Sequence, residues 1–592
     1  MRHIYECINN STNIIRKKWP PQSNECVKSK PLLILAVQCV KVMVVLFVVA
    51  LFIPKIHVLW ITSKLLVQQD AWLLEIYLII TVLLFVSLRP MLRELNFNYY
   101  HVVLITIALM AFCYFGHYLL LLGYDLSRDE QMANFDATIF SQGRLVWPLS
   151  PDWQGYASAL NLEFMLPVGQ PTAWVSAYLP MHAALRALTG RIADTALTGP
   201  LLTAGSLLLI WNISKRVWPK DQEAPVVAIL LLLGSGQFVI TGMTAYAMPA
   251  HLFFNLLWLR LFLANRPLPD AFAVLVGFVA TGLHQPLFHP LFVAPFLLIP
   301  MLERQWGRLV AFTIGYGIIC LFWLSWPIYI HNLVAGAASV TPPAGTDYFS
   351  RLLQTFSVTL ANPTLTAANL LRFCTWQHLF LLPLMAIGLR AVRKNRFAGV
   401  VVLSFFLPIC VMAIILPFQG IGFGFRYLHG VLGNAVLIAV FGWEELAGLR
   451  EELRAAVLRA TAFSLLILIP IQAWMAHARY APFAEANNKI NKSGTDYFLI
   501  KAIDGPLTQD LVLNRPNLSN RPIRLGAEGI DDLPALARRI CRPGVSIALG
   551  DDAFYAPTWK YFDSKVERLA SINIPNPIKT FKQAGCNTRI VH

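Results

Sequence analysis

Two adjacent carboxylates, Asp129 and Glu130, come directly after a long apolar run in the segment GYDLSRDEQMANF. A carboxylate at the boundary between membrane and water can act as a general base towards a hydroxyl group. The alternative is a solvated helix start, where acidic residues are common. Asp136 lies seven residues after Asp129, so the two side chains share a face if the segment is helical. Arg128 and Arg144 supply cations on either side for an anionic group.

These residue types together suit one reaction, the transfer of a sugar from a polyprenyl phosphate. The departing phosphate requires neutralisation by cations more than it requires a proton, and the acceptor hydroxyl requires one base. Two further segments, LHQPLFHP and QGIGFGFRYLHGVLGN, place histidine, arginine and tyrosine at breaks between apolar runs. Such residues are functional candidates, with packing or interfacial anchoring as the alternative. The candidates for the donor phosphate are Arg128, Arg144, His284, His289 and Arg426, and those for other substrate contacts are Asp136, Arg186, Tyr427 and His429.

The composition predicts the elements that must position these residues. Of the 592 residues, 56% are hydrophobic and 14% are charged, whereas soluble domains have about 25% charged residues. Apolar runs of about 18 or more residues recur along most of the chain, and each is long enough to cross the hydrocarbon core as a helix. We therefore expect an all-α polytopic membrane protein with about 13 transmembrane helices.

The positions of lysine and arginine predict the orientation of the chain. The net charge of +16 is explained by basic loops that stay in the cytoplasm. The sequence has no basic stripe interleaved with aromatic residues, so it does not indicate nucleic-acid binding. All strong basic clusters then fall on one side, and Asp129 faces the other, which in a bacterial inner membrane is the periplasm. The expected parts are a cytoplasmic tail at 1–31, two additional transmembrane helices at 32–98, a transmembrane catalytic core at 99–475 with its first outer loop at 123–192, and an external domain at 476–592.

The segment after residue 476 has a different pattern from the rest of the chain. An amphipathic helical pattern around Leu533 to Ile540 is followed by a short β-like run from Val545 to Leu549. This mixture predicts a small external α/β domain. Cys541 and Cys586 are the only cysteines in it, and in an oxidising compartment they are expected to form a disulfide, with two free thiols as the alternative.

The first outer loop resembles a known family. The Asp-Glu pair in YDLSRDEQMANF, the step SQGRLVWP and the segment AYLPMHAALRALTG resemble the GT-C superfamily of polytopic glycosyltransferases, in particular the protein mannosyltransferase and aminoarabinose transferase branch (glycosyltransferase family 39). The last segment has one proline rather than two and no lysine before it. The resemblance implies a GT-C-like fold, with Asp129 as the general base and Glu130 as a supporting carboxylate that orients acceptor or donor.

Other functions stay open at this stage. A transporter or lipid flippase predicts ionisable residues inside the spans. Such residues are nearly absent here, and Lys41 and Glu75 are the main cases. A polysaccharide polymerase predicts a large outer loop late in the chain, whereas the longest loop here is the first. The expected partners are membrane lipids, a polyprenyl-phosphate-linked sugar donor and a lipid, glycan or protein acceptor. No nucleotide motif is present, and a divalent metal ion bound by Asp129 and Glu130 is the one cofactor left open.

Overall fold

The computed structural model describes residues 30–52, 65–86, 91, 93–168, 171–335, 363–416, 419, 422–446, 450–501, 508–561 and 577–592. The first half of this part contains the helices α1 Lys30–Phe52, α2 Ala71–Leu84, α3 Tyr99–Leu119, α4 Arg128–Ser141, α5 Pro151–Gln154, α6 Ala157–Leu160, α7 Met181–Ile192, α8 Thr198–Val217, α9 Glu223–Leu233, α10 Gly236–Thr241, α11 Met248–Phe262, α12 Pro267–Thr281, α13 Phe288–Val293 and α14 Leu298–Leu302. The second half contains α15 Trp306–Ala335, α16 Pro363–Thr375, α17 Leu381–Gly388, α18 Arg396–Ile415, α19 Leu432–Glu445, α20 Arg450–Phe463, α21 Ile469–Asn491, α22 Leu533–Ile540, α23 Asp552–Tyr561 and α24 Pro577–Gln583. The predicted tail at 1–31 lies outside the described residues except for its last two.

The chain is an integral membrane protein built mainly from helices. Within the described residues, seven helices are long and apolar enough to cross a membrane. They are Leu33–Leu51, Leu66–Leu84, Tyr99–Leu119, Thr195–Val217, Trp306–Ala335, Arg396–Ile415 and Glu451–Asn491. Three shorter apolar helices are Glu223–Leu233, Pro267–Thr281 and Phe288–Leu302.

Several predicted spans are shorter or more interrupted than their hydropathy indicates. The run 224–242 breaks after Leu233, and Ser235 caps a second short helix through its hydroxyl group. The run 288–302 is divided into α13, a 3₁₀ turn and α14, and it contains three prolines that remove helical hydrogen bonds. Apolar composition therefore overestimates the number of uninterrupted spans. The last span differs in the opposite sense, because α21 continues to Asn491 rather than ending near residue 475.

The residues after α21 form a parallel sheet with helices. Its strands are β3 Tyr497–Ile500, β4 Ile523–Gly526, β5 Ser546–Gly550 and β6 Asn587–Val591, in the order β4-β3-β5-β6. All three strand pairs are parallel. Two very short antiparallel strands, β1 Trp147–Pro148 and β2 Ala173–Trp174, lie in the first loop. Cys541 and Cys586 are joined by a disulfide between α22 and the start of β6.

Removing this disulfide should loosen the edge of the parallel sheet. The bond closes a loop between cysteines 45 residues apart, which corresponds to about 4 kcal/mol in the chain-entropy model. In a C541S/C586S variant we expect faster amide hydrogen exchange in β5 and β6, measured on the full chain in detergent. C410S, which replaces an exposed free cysteine, is the control. Unchanged exchange in the double variant would contradict the expectation.

Candidate active site

The start of α4 is fixed by a reciprocal pair of hydrogen bonds. The hydroxyl of Ser127 accepts from the backbone N–H of Glu130, and the Glu130 carboxylate accepts from the backbone N–H of Ser127 at 3.3 Å. This S-x-x-E capping box satisfies backbone donors that have no partner within the helix. It sets the start of the helix a few residues after α3 ends, and Asp129 lies inside the capped first turn.

Asp129 is held by two side chains from distant parts of the chain. Its carboxylate accepts hydrogen bonds from the hydroxyl of Tyr178 and from the guanidinium of Arg426, with which it forms an ion pair. Its side chain is 14% exposed and that of Arg426 is 9% exposed. Burial opposes ionisation of the carboxyl, but the Arg426 cation, together with the hydrogen bond from Tyr178, outweighs it and lowers the pKa of Asp129 below its ordinary value. The group is therefore an ionised carboxylate at neutral pH.

A pocket opens beside this carboxylate, which we call the aspartate pocket. Residues 129, 132, 133 and 136 of α4 line it, together with Tyr178 and His284. Asp129 and Asp136 thus reach the same pocket, as their helical spacing predicts. The rings of Tyr178 and His284 meet edge to face, with centroids 4.6 Å apart. Burial lowers the pKa of His284, so it presents a neutral imidazole.

A second pocket, which we call the arginine pocket, lies on the other side of the ion pair. Arg426, Tyr427, His251 and Asn255 line it together with the apolar side chains of Met248, Phe288, Pro408 and Val431. Both ring nitrogens of His251 and the Nε of Arg426 are buried without a partner among the described residues. The Arg426 guanidinium lies 5.4 Å from the centroid of the Tyr427 ring. The ion pair therefore stands between the aspartate pocket, which two carboxylates line, and the arginine pocket, whose lining is largely apolar.

The loop that carries Arg426 is held by its backbone. Gly424 has a positive φ of 64°, and a Cβ there would lie 2.3 Å from the Gln237 side chain. The amide of Gln237 donates to the carbonyl of Phe425 at 2.9 Å. The backbone N–H of Arg426 donates to the Gln419 side chain at 2.8 Å. A residue larger than glycine at position 424 would therefore displace the contact that places Arg426.

The N-terminal helices brace the same loop. Asp70, fully buried in the turn before α2, forms an ion pair with Arg372 at 3.2 Å. Arg372 in turn donates to the carbonyl of Gly422 at 2.8 Å. The adjacent Gln69 accepts from Arg479, at 2.8 Å, on α21. The segment Leu66–Asp70, which runs into α2, thus contacts Arg372 and Arg479 through buried polar groups, and Arg372 leads to the loop of Arg426.

Neutralising Asp70 should destabilise the fold. In D70N the guanidinium of Arg372, 1% exposed, stays buried without its counter-ion, and breaking a buried pair in this way costs about 3–5 kcal/mol. We expect a clear drop in the thermal unfolding temperature of the purified protein. E75Q, which changes an exposed carboxylate on α2, is the matched control and should unfold like the wild type. Equal unfolding of D70N and wild type would show that this ion pair contributes nothing.

Glu130 is not in either pocket. It is fully buried, and it accepts from the backbone N–H of Ala245 at 3.2 Å and from the hydroxyl of Tyr480 at 2.9 Å. Burial, together with the nearby Asp125, raises its pKa to about 8. The carboxylate of Glu130 therefore links three parts of the chain by hydrogen bonds: the start of α4, the segment before α11, and α21. It does not face either pocket.

Three predicted phosphate ligands are engaged elsewhere. Arg128 is 3% exposed and donates to the carbonyls of Gln509 and Val512, each at 3.0 Å, so it fastens α4 to the C-terminal part. The exposed guanidinium of Arg144 lies over a tryptophan ring, Trp147, at 5.1 Å. His289 is buried and is hydrogen-bonded to Asn255 and Tyr316 at 2.7 and 2.8 Å. Of the five candidates, Arg426 and His284 are therefore the two that the structure brings to Asp129.

The other predicted contacts divide in the same way. Asp136 lines the aspartate pocket but is held by the backbone N–H and hydroxyl of Ser176. Arg186 is buried and donates to Asn134 at 2.8 Å. Tyr427 lines the arginine pocket. His429 is fully buried near the Phe238 ring, and neither of its ring nitrogens has a partner among the described residues.

In the segment AWVSAYLPMHAALRALTGR, the sequence predicts Trp174 and Tyr178 as interfacial anchors, but in the structure both contact other parts of the protein. Tyr178 donates to Asp129, and Trp174 is 3% exposed with its indole N–H donating to the carbonyl of Pro516 at 3.0 Å. An aromatic residue beside a membrane fits both roles, so the sequence contains no signal that separates them. Among the described residues, no group of three or more His, Cys, Asp or Glu side chains is placed to hold a metal ion.

Comparison with known proteins finds solved structures of similar fold, among them two of one protein. No family model matches the chain, and no curated protein matches it. ArnT from Cupriavidus metallidurans bound to undecaprenyl phosphate is similar with a TM-score of 0.46 and 11% identity, over 83% of this chain and 90% of that chain. The same protein in the apo state gives a TM-score of 0.45 and 11% identity, over 77% and 94%. ArnT is an aminoarabinose transferase of the GT-C group, the branch that the sequence resembles. A TM-score under 0.5 at this identity assigns neither an activity nor residues to the present chain.

Proposed function

We propose that the protein is a membrane glycosyltransferase that moves a sugar from a polyprenyl-phosphate donor to a hydroxyl group of a lipid, glycan or protein acceptor. The observation that carries the proposal is the buried ion pair of Asp129 and Arg426, with the aspartate pocket on one side and the arginine pocket on the other. A base and a cation side by side are the two groups that this reaction requires. The prediction from the sequence named both residues, and the contact between them supports it.

Asp129 is the general base. Its lowered pKa keeps it ionised at neutral pH, and it lines a pocket that can admit an acceptor hydroxyl. The carboxylate takes the hydroxyl proton as the acceptor oxygen forms a bond to the anomeric carbon. The bond from that carbon to the phosphate oxygen breaks, and the electron pair leaves with the polyprenyl phosphate. Direct attack of this kind inverts the configuration at the anomeric carbon.

Arg426 neutralises the departing phosphate. Its guanidinium bonds Asp129 through one terminal nitrogen, while its Nε is buried with no partner among the described residues. The unpartnered imidazole of His251 lies in the same arginine pocket. Charge stabilisation by donors that are already in place is the largest contribution to many transfer reactions.

The test of this function is release of polyprenyl phosphate. The full chain is reconstituted in liposomes with a panel of undecaprenyl-phosphate sugars and an extract of cell-envelope lipids and glycans as acceptors. We expect labelled sugar to appear in an acceptor, with free undecaprenyl phosphate in equal amount. Movement of an intact donor across the bilayer without cleavage would identify a flippase instead. The proposed active face is the non-cytoplasmic one, periplasmic in a bacterial inner membrane, and labelling of a cysteine introduced at residue 144 tests it.

A further inference from the structure

Helix α4 separates two different pockets. Residues 129, 132, 133 and 136 face the aspartate pocket, and residues 131, 134, 135 and 138 face a larger polar pocket against the C-terminal part. Each set has the i, i+3, i+4, i+7 spacing of one helix face, and the sets are offset by two residues, or about 200° around the helix. No residue lines both pockets. The polar pocket is thus a separate site on the opposite side of the helix.

The polar pocket contains a buried cation without a carboxylate partner. Arg524 is 4% exposed and donates to the side-chain oxygens of Asn487 and Asn491, at 2.7 and 2.8 Å, and to the carbonyl of Leu511 at 2.8 Å. Among the described residues, no carboxylate lies within ion-pair distance of it. Burial lowers its pKa to about 10. A buried charge without a counter-ion is costly, so an anion entering the pocket would relieve this cost.

The rest of the lining has the same character. Arg515 and Arg521 are exposed at the rim, and Asp125 is the one carboxylate among the lining residues. The Asp125 carboxylate already accepts from Asn134, and one of its oxygens is buried without a partner among the described residues. Three guanidinium groups therefore face one carboxylate. Side-chain amides surround them, and these can donate to and accept from hydroxyl groups.

We propose that this polar pocket binds an anionic, hydroxyl-rich ligand of the sugar-phosphate class, with Arg515, Arg521 and Arg524 on the anion and the amides on the hydroxyl groups. Guanidinium groups bind phosphate through charge-assisted and often paired hydrogen bonds. The body of α4, about 10 Å across, lies between this ligand and Asp129. The ligand is therefore bound in a site separate from the proposed catalytic site. Its binding does not depend on the proposed transferase activity.

The test measures binding of glucose 1-phosphate to the full chain in detergent by isothermal titration. R515Q/R521Q changes two exposed rim residues and should keep the fold; we expect its affinity to fall about tenfold, because two charge-assisted contacts are lost. R538Q, an exposed arginine on α22 outside the pocket, is the matched control and should bind like the wild type. D129N/R426Q, which removes both charges of the buried ion pair, should also keep wild-type affinity for this probe, since neither residue lines the polar pocket.

Two further probes, glucose without the phosphate and phosphate without the sugar, complete the test. Glucose without phosphate should bind at least tenfold more weakly than glucose 1-phosphate, and inorganic phosphate should bind more weakly than the sugar phosphate because it makes no contact with the amides. Equal affinity of wild type and R515Q/R521Q would overturn the proposal. Binding of glucose as tight as that of glucose 1-phosphate would also overturn it. So would binding that disappears in a folded D129N/R426Q variant, which would assign the probe to the site at Asp129.

Discussion

Replacing Asp129 with Asn is expected to lower the rate of sugar transfer by a factor of about 10²–10⁴, the usual contribution of a general base. The substitution keeps the size of the side chain and an oxygen for the hydroxyl of Tyr178, but the amide has no proton-accepting carboxylate. The loss should appear in kcat, measured as polyprenyl phosphate released per unit time.

A matched variant separates this effect from general damage. D152N changes an exposed carboxylate in the same loop that is paired with Arg539, and it should transfer sugar at the wild-type rate. Both variants should be compared with wild type by thermal unfolding before the assay. A correctly folded D129N protein with near wild-type kcat would remove the base from the proposed mechanism.

Replacing Arg426 with Gln is expected to lower transfer by about 10²–10³, the cost of removing one donor that stabilises developing charge. It should also change the pH dependence. In the wild type the pKa of Asp129 lies below its ordinary value, so the rate should hold as pH falls until the carboxylate takes up a proton below that value. Without Arg426, burial is the main remaining influence and raises this pKa. The acid limb of the kcat profile should therefore move to higher pH in R426Q.

Stability and activity can be separated for Arg426 by a double variant. R426Q leaves the Asp129 carboxylate buried without its cation, which is strongly destabilising. D129N/R426Q removes both charges and should unfold at a higher temperature than R426Q while staying inactive. R426K keeps the charge and should restore the acid limb in part. An acid limb that stays at the wild-type position in R426Q would contradict the role given to this ion pair.

The local features of the site follow from the sequence, and the distant contacts do not. Ser127 and Glu130 have the spacing of a capping box, and Asp129 and Asp136 have the spacing of one helix face, so both are readable from a short segment. Arg128 adjoins Asp129 in the chain but points about 100° away on the helix, into the C-terminal part. Proximity in sequence therefore suggested Arg128 as the cation beside Asp129, whereas in the structure that cation is Arg426.

The partners of Asp129 are distant in the sequence, and hydropathy does not predict which distant residues will be in contact. Arg426 is 297 residues away, and Tyr178 is 49 residues away. His284 and His289 lie in one predicted turn, yet one lines the aspartate pocket and the other is bonded to Asn255 and Tyr316. Which of two similar residues faces a pocket depends on how the broken helices around it pack. That packing has no signature in a single sequence.

The contacts of Gln69 and Asp70 decide whether the N-terminal membrane segment can be removed or replaced. A helix that only anchors an enzyme in a bilayer can be exchanged for another membrane helix. Here the N-terminal segment also supplies Asp70, the counter-ion of the buried Arg372. A chain shortened to begin near residue 91 would carry Arg372 with no acid to balance it, and Arg479 would lose an amide partner. The helix that carries Gln69 and Asp70 is therefore part of the smallest unit expected to hold Arg426 in place, and a foreign membrane helix grafted there should not replace it.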